Sequence, residues 1–244
     1  GEASDGFDAV WGAGAEAARA VVDAAIESWN QVVTDFNYAD GTDGFLLDFG
    51  MSPEHSTNAY TATGSADANG VPRDAGIWLG RGTDGHGAGW WVDATPTDSA
   101  EFDGDVLGPF SGHASPASPA YRPRDLPATV VHEVAHALGI TDVFLRGADQ
   151  RGRISFRDTG YRWSNLDTTA YALTGPSVKT LFIDPGGSSR SHIAWPDISY
   201  TDPANGTTYW GAEDLMNMSR SDGLRRTISN LDALVLKDAF GYDV

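Results

Sequence analysis

Residues 126 to 139, "LPATVVHEVAHALG", constrain this chain more than any other segment. Pro127 sits where the first turn of a helix tolerates a missing N–H, and Gly139 sits where a helix ends in a left-handed residue. Between them, Val130, Val131, Val134, Ala135 and Leu138 bury the helix without using His132 or His136. The two histidines are four residues apart, so their rings lie on one face, a turn apart, and can aim at a common ion. Glu133 is displaced by about 100° around the axis, beside such an ion and not on it. A carboxylate there takes a proton from a metal-activated water and returns it to a leaving amine. A metal-free pair of buried histidines with a glutamate would instead leave several polar groups to satisfy. The spacing predicts a metal-binding helix, with His132 and His136 as ligands and Glu133 as general base.

Two ligands do not hold a catalytic zinc, so a third must come from elsewhere in the chain. Gly139 follows His136 by three residues and would turn the chain back, bringing residue 142 within reach of the ion. That residue is Asp142, whose carboxylate is an acceptable zinc ligand, and it is the expected third one. His192, in "SRSHIAWPD", is its rival. Glu213, the sole glutamate after Glu133, lies in no helical pattern. An anionic third ligand would make the bound water less acidic, which implies an activity optimum on the alkaline side.

The rest of the chain reads as an α+β frame. Residues 14 to 36 carry apolar side chains at three- and four-residue steps, from Ala18 through Trp29 to Phe36, and predict a long helix. Between 44 and about 95, the runs "GFLLDFGM", "AYTATGS", "AGIWLGRG" and "GWWVDATP" predict strands separated by Gly/Asp-rich loops. Trp90 and Trp91 fit the two faces of one strand better than a substrate platform. The proline-rich residues 103 to 127 read as a surface loop. Residues 140 to 227 read as mostly irregular, with a helical patch at "NLDTTAYAL" and a strand at "VKTLFID". "ISNLDALVLKDAFGYDV" predicts a closing helix, with Ser229 and Asp232 as a capping pair and Gly241 at its end. The expected organisation is one catalytic domain of two subdomains, 1–139 and 140–244.

A net charge of −18 repels phosphate backbones and anionic membrane surfaces, so neither nucleic acid nor membrane is an expected partner. The absence of cysteine excludes disulfides, thiolate zinc sites and cysteine nucleophiles. No run approaches the roughly 18 apolar residues of a membrane-spanning helix. "GEASDGFD" has neither a basic start nor an apolar run, so it does not read as a signal peptide. "ADGTDG", "SADANG" and "EFDGDV" admit structural calcium, although none has the twelve-residue loop spacing and such clusters mostly make turns. "NGT" at 205–207 fits a glycosylation acceptor.

"HEVAHALGITD", residues 132 to 142, resembles the extended zinc-binding motif of the metzincin metallopeptidases, in the form with aspartate in place of the last histidine. Snapalysin-type bacterial secreted proteases carry that form. The resemblance implies a secreted, monomeric zinc endopeptidase acting on protein or peptide substrates. It implies an N-terminal mixed sheet with two long helices, then an irregular C-terminal subdomain ending in a helix. It also implies a methionine turn beneath the zinc. "EDLMNMS" at 213–219 occupies that place, with Met216 the expected turn methionine and Met218 the alternative. No tyrosine follows Met216 by two residues, so the family's oxyanion-stabilising tyrosine has no counterpart, and Tyr209 matches no motif. Family members bind extended substrate along a strand bordering the cleft, for which residues 75–82 are the candidate. The alternative is a zinc-containing binding or adhesion module without turnover, which would have no need of Glu133.

Overall fold

The computed structural model describes residues 5–104, 106–108, 110–163, 168–184, 192–193, 199–201, 206, 208–210, 214–217 and 222–244; of these, 106–108, 161–163, 168–169, 183–184, 199–200 and 208–210 are described by their backbone alone. The architecture is α+β. In chain order, helices α1 (Phe7–Trp11) and α2 (Ala15–Asn30) lead into strands β1 (Leu46–Met51), β2 (Ala59–Thr63), β3 (Asp74–Leu79), β4 (Trp90–Trp91), β5 (Val106–Gly108), β6 (Ser111–His113) and β7 (Arg124–Asp125). Helices α3 (Leu126–Ala137) and α4 (Asp142–Gln150) follow. Then come β8 (Ser155–Trp163), β9 (Thr168–Thr174), β10 (Lys179–Asp184), β11 (His192–Ile193), β12 (Ser199–Thr201), β13 (Thr208–Trp210), β14 (Leu224–Arg226) and the closing helix α5 (Asn230–Phe240).

Helix α2 buries Ala18, Val21, Val22, Ala25 and Trp29 against α3, and the Trp29 indole N–H donates to the Val131 carbonyl at 2.9 Å. The apolar pattern runs on to Phe36, but the helix stops at Asn30. Beyond it, Thr34 and Asp35 exchange backbone hydrogen bonds with Asp243, so pairing with the C-terminus outcompetes further helical turns.

Against α3 lies a three-stranded mixed sheet of order β1-β3-β2, with β1 parallel and β2 antiparallel to β3. Strand β3 is therefore paired on both sides, which rules out residues 75–82 as a strand open to an added peptide. The outer edge beside α3 belongs to β2, where Thr61 reaches Glu133. Trp90 is buried with its indole N–H on the Gly80 carbonyl, while Trp91 packs on a small cluster around Phe102.

The C-terminal half is more regular than its sequence suggested. Strands β8 to β11 form an antiparallel sheet of order β11-β10-β9-β8. The described part of the patch read as helical, 168–173, lies in β9, in which the consecutive residues Ala170, Tyr171, Ala172 and Leu173 are all buried. A strand covered on both faces loses the two-residue alternation that marks it in sequence. One cluster of buried residues, from Phe7 to Tyr242, draws on both halves of the chain.

Candidate metal centre

Helix α3 is fixed at both ends. Asp125 caps it by accepting the Ala128 N–H at 3.1 Å. At the other end Gly139 adopts φ +120°, its N–H reaches the His136 carbonyl at 3.1 Å, and the Ile140 N–H reaches the Ala135 carbonyl at 3.1 Å. These two bonds are the glycine-terminated reversal that satisfies the last helical carbonyls. A Cβ on Gly139 would sit 2.6 Å from the Phe240 ring and 3.0 Å from Pro72, so the close packing also demands glycine.

The reversal brings Ile140, not Asp142, to the site. The Ile140 carbonyl lies 2.7 Å from His136 Nδ1. Asp142 is instead the first residue of α4, capped by Thr141, and its carboxylate pairs with Arg146 Nε at 2.8 Å. An acid in the first turn of a helix, four residues before an arginine, is stabilised by the helix dipole and by that pair. Both interactions hold Asp142 on α4, and the residues grouped closely enough to share an ion are His132, His136 and His192.

His132, His136 and His192 are buried, with one ring nitrogen of each within 4.8 Å of the others. Their ring centroids stand 4.7 to 5.2 Å apart; His136 is nearly perpendicular to the other two, which lie 16° from parallel. His192 is on β11, which pairs with β10 through Ile183. The Ile193 N–H then donates to the Met216 carbonyl at 2.9 Å, tying β11 to the turn Asp214–Asn217. The preceding carbonyl in that turn, Leu215, lies 2.7 Å from His132 Nδ1. Met216 itself is fully buried within the turn. Met218 and Glu213 lie outside the described residues, as do the side chain of Tyr209 and most of the glycosylation pattern at 205–207.

The donor set suits a divalent metal. Each of His132 and His136 gives its Nδ1–H to a backbone carbonyl, which leaves the lone pair on Nε2. Three imidazoles converging in a buried site, with no thiolate, can hold a divalent metal ion. Glu133, 1% exposed, stands beside them and accepts the Thr61 hydroxyl at Oε2, 2.8 Å away. A cavity of about 50 Å³ opens next to His132 and Glu133, bounded by Thr129, Leu215, Asn217 and Arg226.

Among the described residues this is the one group of three or more histidines or acids placed to share an ion. Two acids of the turns that admit calcium act on the backbone instead: Asp67 accepts from Ala39, Asn69 and Val71 N–H groups, and Asp43 from Phe36 N–H. Asp40 pairs with Arg73.

Comparison with known proteins finds no matching family model, no matching curated protein and no matching solved structure.

Proposed function

We propose that this chain is a zinc-dependent endopeptidase of metzincin type, secreted in its natural setting. The observation that carries the reading is a buried three-histidine cluster with a carboxylate, Glu133, next to it at the mouth of a small cavity. A structural metal site has no use for that carboxylate, which argues against a binding module without turnover. When bound, zinc supplies a Lewis acid that acidifies a water and polarises a substrate carbonyl.

The remaining work falls to the chain. Thr61 holds Oε2 of Glu133 by its hydroxyl, and the carboxylate so oriented takes the proton of the attacking water and passes it to the leaving amine. The outer edge of β2 offers main-chain groups to an extended peptide beside Glu133, giving affinity with little demand on side chains. With a neutral imidazole in place of the aspartate, the argument for an alkaline-shifted optimum no longer applies.

Glu133→Gln should retain zinc and lower casein hydrolysis by roughly 10²–10⁴-fold; near-wild-type hydrolysis would end the peptidase reading. His192→Ala should lose zinc while Asp142→Ala keeps it, as read by metal content after dialysis. The reverse outcome would restore Asp142 as the ligand.

A further inference from the structure

The turn that meets His132, and Ile193 beside His192, is itself held by two buried acids. Asp214, which opens the turn, is 2% exposed, and Asp232, on the first turn of α5, is fully buried. Both carboxylates meet the Ser229 hydroxyl: Oγ contacts Asp214 Oδ2 closely and lies 2.9 Å from Asp232 Oδ2. The same Oγ accepts the Asp232 N–H at 3.2 Å.

A serine hydroxyl has one proton and two lone pairs. One lone pair is taken by the Asp232 N–H, and the single proton serves one carboxylate. The second carboxyl contact then closes only if that acid brings a proton of its own. Sharing one proton between two buried anions would leave a repulsive pair out of water, and no ion pair to Asp214 or Asp232 occurs among the described residues.

Asp214 has the firmer support for a negative charge, because its Oδ1 also accepts the Met216 N–H at 3.0 Å. Asp232 has the weaker support: Oδ2 accepts the Ser229 N–H, while Oδ1 is buried and has no hydrogen-bond partner.

We propose that Asp232 is a neutral carboxylic acid that donates to Ser229, that Ser229 donates to an ionised Asp214, and that this relay positions the turn presenting Leu215 and Met216 to the histidine cluster. Its path is continuous. Asp214 fixes the Met216 amide, the Leu215 carbonyl orients His132, and the Met216 carbonyl seats Ile193 next to His192. Burial and the neighbouring Asp214 charge both push the Asp232 carboxyl well above its ordinary range. A raised carboxyl binds its proton more tightly in the folded state. Its contribution to stability is therefore fully present at acid pH, declines as pH rises through the ordinary carboxylate range, and is lost once pH passes the folded-state value.

The proposal rests on the three histidines as a metal site and not on peptide hydrolysis. Lost casein turnover with intact zinc affinity would bear on the peptidase reading alone.

Three measurements on the full chain test it. Infrared spectra at neutral pH should contain a protonated carboxylic acid band that Asp232→Asn removes; a spectrum without that band overturns the shared proton. Denaturant midpoints should fall with rising pH in the wild type and fall less in Asp232→Asn, and parallel curves would overturn it as well. Zinc affinity of the chelator-stripped protein should drop roughly tenfold in Asp214→Asn while Asp232→Asn stays near wild type. Equal affinity in all three would overturn the positioning role. Should Asp214→Asn not fold, Ser229→Ala removes the bridge together with the cap of α5 and is read the same way.

Discussion

Two buried polar clusters bracket the candidate site, and they neutralise their acids by opposite means. At the start of α3, Asp93 and Asp125 share Arg225, which is 4% exposed on its side chain and bonds both carboxylates at 2.7 Å. Its Nε adds a second bond to Asp125 at 2.9 Å, and the guanidinium lies over the Phe102 ring, 4.4 Å from the centroid. At the start of α5, Asp214 and Asp232 have Ser229 between them and, among the described residues, no cation. The first cluster ties β14 to the amino end of the histidine helix, and the second ties α5 to the turn beneath it. The permanent charge of an arginine needs a permanent partner, whereas a proton can be withdrawn. The contrast teaches that burial alone does not decide how a carboxylate is tolerated: the available donor does.

Removing the cation should have the largest effect. Arg225→Ala leaves two carboxylates buried without their partner and should cost about 3–5 kcal/mol in denaturant unfolding. A loss under about 1 kcal/mol would show that water reaches Asp93 and Asp125, and would erase the contrast. Ser229→Ala comes next. It removes both the relay and the helix cap and should cost roughly 1–2 kcal/mol. Asp232→Asn should be the mildest at neutral pH, because an amide replaces a neutral acid of the same shape. Its advantage over the wild type should grow as pH rises, the sign required for a carboxyl whose folded value is raised. A variant that instead gained relative stability on acidification would identify Asp232 as the ionised member.

Much of α3 and its site was legible beforehand because a helix is a local object. The spacing of His132, Glu133 and His136 alone sets which face each occupies. Helix α5 was legible for the same reason: Ser229 and Asp232 form the reciprocal cap and Gly241 closes the helix at φ +80°. Two kinds of residue escaped. Thr61 carries no motif; it matters because β2 is the sheet edge next to Glu133, and edge position is a property of strand order. Strand β9 was misread as helical because burial on both faces erased its period.

Gly139 shows where local reasoning ends. The sequence determined that the chain must reverse there, since only glycine adopts φ +120° at little cost with Phe240 so close. It did not determine what the reversal delivers. The tertiary structure placed the Ile140 carbonyl on His136 and sent Asp142 into a new helix with Arg146. It grouped His192 with His132 and His136, carried in by pairing of β11 with β10 and with the turn at Met216. Helical spacing is set by rotation per residue and can be read from letters alone. A ligand supplied by a distant strand depends on sheet register and long-range hydrogen bonds, which exist only once the chain has folded.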